Sequence, residues 1–103
     1  MVSPILSRKD SRTIGRSLDE TREYHERYLM AVNSPVRRTI LRALEDGSKT
    51  IEALQTATGL QPQAFEWHLS VLEHGFCVKK EIRGSQLFYE LTQEGKVVDF
   101  MDK

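Results

Sequence analysis

Thr50 to Gly75, TIEALQTATGLQPQAFEWHLSVLEHG, is the stretch whose reading decides the rest of the chain. Its spacing predicts two helices joined by a tight turn. Thr50 is suited to N-cap the first, its hydroxyl accepting from an orphan amide of the opening turn. Ile51, Leu54 and Ala57 then share one face. Gly59 stands where that helix must stop and the backbone turns left-handed. Pro62, with its φ already fixed and no N–H to lose, opens the second helix.

At 100° per residue, Phe65, His68, Leu69 and Leu72 gather in one arc of the second helix. Gln63, Trp67, Ser70 and His74 point the other way, with Ala64 and Glu66 at the flanks. A helix–turn–helix divides its residues in this manner: one face grips the core and the other is free to enter a major groove. An αα-hairpin in any small helical domain shares the pattern, so the residues after Gly75 decide between them.

There the period changes from 3.6 to 2. FCVKKEIR, Gly84–Ser85 and QLFYEL form a hairpin with glycine first in the loop, as a type II′ turn requires. A two-residue loop fixes the register, setting Val78, Lys80 and Ile82 opposite Leu91, Tyr89 and Leu87 on the expected buried side. Lys79, Glu81 and Arg83 oppose Glu90, Phe88 and Gln86 on the other. Lys79, Lys80 and Arg83 suit a wing that tracks a groove edge. Thr92 caps a last helix whose Val97, Val98 and Met101 pack towards the first.

Working back from Thr50, Ser34 and Pro35 start a helix as N-cap and N1. Val36, Ile40, Ala43 and Leu44 face inward in it. Arg38 and Arg42 face outward, with Arg37 at the border. Ser17 and Glu20 form a capping box that opens an earlier helix. Its stripe is Leu18, Thr21, His25, Tyr28, Leu29 and Val32, flanked by Tyr24 and Ala31. Glu23 and Arg27 make an i,i+4 pair on the other side. The stripe is wider than a small domain covers alone, which points to a dimer face. Residues 1–16 carry Arg8, Lys9, Arg12 and Arg16 against Asp10 without periodicity. They read as a flexible tail, either a basic arm or a frayed terminus.

The 103 residues suit one domain, spanning 17–103 after the tail. Charges balance, 15 cations against 15 acids, so any phosphate contact must rest on a local basic patch. No apolar run reaches the ~20 residues of a membrane span, and the N-terminus lacks a signal-peptide core. A single cysteine fits a reducing cytosol, so a cytoplasmic location is expected.

Helix, helix–turn–helix, hairpin, helix is the order of a winged helix–turn–helix: mainly α with a two-stranded antiparallel hairpin, α+β. From Asn33 to Leu91 the chain resembles the ArsR-type (arsenic-repressor-like) transcription regulators. The resemblance lies in Ser34-Pro35-Val36-Arg37 with Ile40-Leu41, Gly59-Leu60, and His68-Leu69-x-x-Leu72-x-x-Gly75. It continues in Arg83-Gly84 and Tyr89-x-Leu91. It implies a homodimer paired through its first and last helices and bound to double-stranded promoter DNA. Metal-sensing members carry cysteines where this chain reads Ile51-Glu52-Ala53-Leu54-Gln55, and the terminal helix lacks an acid–His cluster. A non-metal-sensing member without a cofactor is therefore implied. The recognition face also departs from the family, with Glu66 and Trp67 in place of small polar or basic side chains.

Catalytic chemistry has no constellation to rest on. His74-x-x-Cys77 offers two zinc ligands with no second pair. Cys77 lacks a base, and no glycine-rich phosphate loop is present. Two functions remain. One is a dimeric, non-enzymatic DNA-binding regulator. Gln63, Glu66, Trp67 and Ser70 would face bases, while Arg38, Arg42, Lys79, Lys80 and Arg83 contact phosphates. Leu18, Tyr24, Tyr28, Leu29, Val97 and Met101 would line its dimer interface. The other is a winged-helix protein–protein module anchored on Trp67. The residues name neither an operator nor an effector.

Overall fold

The structure, a computed structural model, describes residues 14–97. The expected tail up to residue 13, together with Val98 and Met101, lies outside the described residues. Among the described residues, five helical and three strand segments run in the order α1 (Leu18–Val32), α2 (Pro35–Ala43), β1 (Lys49–Thr50), α3 (Ile51–Thr58), α4 (Pro62–His74), β2 (Val78–Arg83) and β3 (Gln86–Leu91), closing with a 3₁₀ turn at Glu94–Val97.

The punctuation residues act as their chemistry demands. The Ser17 hydroxyl accepts from Glu20 N–H, Ser34 from Arg37 N–H, and Thr50 from Ala53 N–H. Gly59 closes α3 at φ 69°, in the left-handed region. Gln55 Nε2 donates to the Leu60 carbonyl across the interhelical turn. One detail differs from the expected capping box. The Glu20 carboxylate accepts from Arg16 N–H, one residue ahead of the cap, and Gly15 N–H donates to Thr21 Oγ1. Residues 15 and 16, read as part of the tail, are thus tied to α1.

Phe65, Ile40, Leu41, Leu54, Leu72 and Cys77 fill the centre of the core, with Ala31, Val32, Leu44, Leu69, Val78 and Tyr89 around them. α1 crosses α4 closely at Gly75. A methyl group there would collide with Ala31 Cβ and the Arg27 carbonyl. Beyond it Phe76 adopts φ 67°, the left-handed region that a side chain normally avoids. Its ring packs 5.0 Å from that of Tyr24 and 4.6 Å from the Arg27 guanidinium carbon, which holds the residue there.

The hairpin has the register set by its loop, Val78 pairing with Leu91, Lys80 with Tyr89 and Ile82 with Leu87. Gly84 takes φ 64° and Ser85 does not join it at positive φ, as a type II′ turn needs. A third strand joins the expected two. β1 pairs antiparallel with β3, Lys49 to Tyr89 and Thr50 to Phe88, giving the order β1-β3-β2. Two residues are too short for a periodic signal, and Thr50 doubles as the cap of α3.

Several residues depart from the sequence pattern. Ile82 and Lys80, placed on the buried side, are exposed, Ile82 to 73%, because β2 is the outer strand and only its Val78 is buried, whereas their partners Leu87 and Tyr89 on the central strand pack with the core. Val36 is exposed, whereas Leu41 and Arg37 are buried. Arg27 is folded back onto Tyr24 and Phe76 rather than lying on an outer face, though it keeps Glu23 at 3.8 Å. Within the described residues, Thr92 caps a 3₁₀ turn, not an α-helix, accepting from Gly95 N–H and donating to the Phe76 carbonyl.

Candidate nucleic-acid interface

α4 presents Gln63, Ala64, Glu66, Trp67, Ser70 and His74 on its exposed side, while Phe65, Leu69, Val71 and Leu72 are buried. Trp67 is 58% exposed, its indole edge-on to His68 at 4.9 Å. The Ser70 hydroxyl donates to the Trp67 carbonyl at 2.7 Å, an i−3 bond that leaves its lone pairs outward. The four base-facing candidates therefore share one surface.

That surface is anchored from beneath by Arg37. Nε donates to the Ala31 carbonyl at 2.9 Å, Nη2 to the Met30 carbonyl at 2.9 Å, and Nη1 lies 3.1 Å from His68 Nδ1. Its guanidinium carbon is 5.6 Å from the Trp67 ring centroid, within cation–π range. Arg38 Nη1 donates to the Val32 carbonyl at 2.8 Å, and Asn33 N–H to that of Leu29. The last four carbonyls of α1 are thus satisfied, three of them by arginines of α2. These cations also sit at the negative end of the α1 dipole.

Beside α4, a half-open cleft of about 250 Å³ lies between the helix and the sheet, floored by Phe65, Leu69 and Tyr89 and rimmed by Glu66, Glu73 and Lys80. Lys80 reaches Glu73 across it at 3.6 Å. Every wing cation has an acid beside it: Lys79 with Glu90 at 3.7 Å and Arg83 with Glu81 at 2.7 Å. Arg83 also covers Phe88, 4.9 Å from its centroid, and holds the Glu81 carboxyl below its ordinary range by hydrogen bonding. On α2, Arg42 lies 3.7 Å from Glu45. Of the phosphate candidates, Lys80 reaches α4 through Glu73, and Arg38 is engaged with α1.

The dimer candidates divide. Leu18 and Leu29 are 82% and 57% exposed along one line of α1. Tyr24 packs on Phe76, and Tyr28 and Val97 pack against the core of their own chain. Cys77 is fully buried, and burial pushes its thiol up to about 12. Among the described residues no three His, Cys, Asp or Glu side chains converge to hold a metal ion. Nor is any described helix long and apolar enough to cross a membrane.

No family model and no curated relative matches the sequence. Solved structures do. A homodimeric winged helix–turn–helix DNA-binding domain from Mycobacterium bovis, described as a possible ArsR-family transcriptional regulator, is 26% identical with a TM-score of 0.67, over 84% of this chain and 81% of its own. The fold is that of the ArsR-type winged helix–turn–helix regulators. NolR from Sinorhizobium fredii, 23% identical, superposes with a TM-score of 0.67 over 85% of this chain and 90% of its own. The transcriptional repressor BigR from Xylella fastidiosa, 18% identical, gives 0.64 over 98% and 92%. In this ArsR-type frame α3 and α4 are the helix–turn–helix and β2–β3 the wing. The residue that sequence reasoning undervalued is Arg37. Its signal was its place one turn into α2, where a long donor can reach back to the preceding helix.

Proposed function

We propose that the chain is a dimeric, sequence-specific DNA-binding transcription regulator of ArsR type without a metal site. The observation that carries this reading is the exposed α4 face in a winged helix–turn–helix frame whose wing bears Lys79, Lys80 and Arg83. Gln63 and Glu66 have the chemistry to read adenine and the cytosine amino group, and Ser70 to bond either. Lys79, Lys80, Arg83 and Arg42 serve the phosphates by exchanging their carboxylate partners for them, whereas Arg38 stays on the Val32 carbonyl. Leu18 and Leu29 are apolar positions of α1 open to a second copy. The test is fluorescence anisotropy with duplexes from the gene's upstream region at several salt concentrations. Binding that weakens steeply with salt and favours that region supports the proposal. Absence of binding at low salt removes it.

One observation favours a second reading, a protein-interaction module. Trp67 is widely exposed, and the wing cations are each matched by an acid. Trp67→Ala separates the two readings. Loss of partner capture with unchanged DNA affinity supports the module; loss of DNA affinity supports the regulator.

A further inference from the structure

Arg37 is a buried cation, 8% exposed, and among the described residues no carboxylate pairs with it. Its partners are the Met30 and Ala31 carbonyls and the His68 ring. A guanidinium has donors only. His68 Nδ1, 3.1 Å from Nη1, must therefore accept, which fixes the ring as the neutral tautomer with its proton on Nε2. Protonation of Nδ1 would leave two donors facing each other and two positive charges in contact. The charged group facing His68 from the neighbouring elements is Arg37 of α2; α1 contributes the carbonyls that hold it, and on α4 the neighbouring ring is Trp67. Burial and the Arg37 charge both lower the affinity of His68 for a proton.

We propose that Arg37 and His68 are positioning residues for the base-facing side of α4, tying it to the C-terminal end of α1 through the neutral imidazole, and that acid releases the tie. This rests on the DNA-binding reading above. The physical coupling is short. The carbonyls of α1 fix the guanidinium, the guanidinium fixes the imidazole and covers the indole, and the indole stands in the base-facing row.

The protein carries its own reporter, because Trp67 is its only tryptophan and an imidazolium beside an indole quenches it. The test uses the full chain without DNA first. Long-range ¹H–¹⁵N correlation of the three histidines at neutral pH should show His68 as the Nε2–H tautomer. Lowering the pH should give one Trp67 fluorescence transition with its midpoint below the ordinary 6.5. His68→Asn keeps an acceptor near Nδ1 and cannot titrate, so it should abolish that transition and retain DNA affinity. His68→Leu, which removes the acceptor, should weaken DNA binding several-fold at every pH. An Nδ1–H tautomer, a His68 midpoint at or above 6.5, or a fluorescence transition that persists in His68→Asn overturns the proposal. So does equal loss of DNA affinity in both variants, the result of a purely structural role. If the wild-type chain binds no DNA, the regulator reading fails, while tautomer and fluorescence still decide whether the tie exists.

Discussion

Cations are used in opposite ways at the α1–α2–α4 junction and on the wing. At the junction of α1, α2 and α4, Arg37 is buried and its donors are aimed at backbone carbonyls and one imidazole. On the wing, Lys79, Lys80 and Arg83 are exposed and each lies beside a carboxylate. Carbonyls at a helix end cannot move away without unwinding the helix, so the junction contacts are architectural. Carboxylates on exposed side chains exchange freely, and such pairs add little to stability. The lesson is that the wing charges are available for exchange, whereas the junction charge is part of the fold.

The sharpest way to break this contrast is Arg37→Ala, which leaves the Met30 and Ala31 carbonyls and His68 without their donor. Chemical denaturation should show a loss of about 3 kcal/mol. Arg37→Lys keeps the charge but not the three-way fork, and should still cost about 2 kcal/mol. Full recovery by lysine would mean that charge, not geometry, holds the junction. Next comes Gly75→Ala, where the added methyl meets Ala31 and the Arg27 carbonyl. Its unfolding free energy should fall by about 2 kcal/mol. Thr50→Ala removes one capping bond and should cost about 1 kcal/mol by the same measurement. The wing end predicts the smallest stability effect. Arg83→Ala should leave the thermal midpoint in place while weakening all duplexes alike and reducing the salt slope by about one. A sequence-selective loss would instead assign Arg83 to base reading.

Much of this arrangement was legible because single residues dictate it. Thr50, Gly59 and Pro62 bound the helix–turn–helix, and Gly84–Ser85 alone fixes the hairpin register. The apolar arc of α4 is plain in the spacing of Phe65, Leu69 and Leu72, all of them buried. What escaped depends on how elements meet. Ile82 alternates like an inward residue, yet it stands on the outer strand, and the core reaches only its partner Leu87 on the central one. Arg37 looks like a border cation until α1 places two carbonyls within reach. Tyr24 and Tyr28 belong to the stripe that suggested a dimer, but Phe76 and the core cover them in this chain. Leu18, His25 and Leu29 are the part of that stripe left uncovered. Periodicity gives the facing of a residue, not the length of the surface opposite.

The placement of β1 bears on how copies of this chain behave at high concentration. By pairing with β3 it makes β3 the central strand and, among the described residues, leaves β2 as the long open border of the sheet. An open border invites another strand to add by backbone bonding. A chain of zero net charge has no long-range repulsion to keep its neighbours at a distance. That task falls to the border itself, where Lys79, Lys80, Glu81 and Arg83 crowd into β2. A second β2 laid antiparallel along it would need four charged side chains to settle among four more, so the sheet ends where the chain ends it.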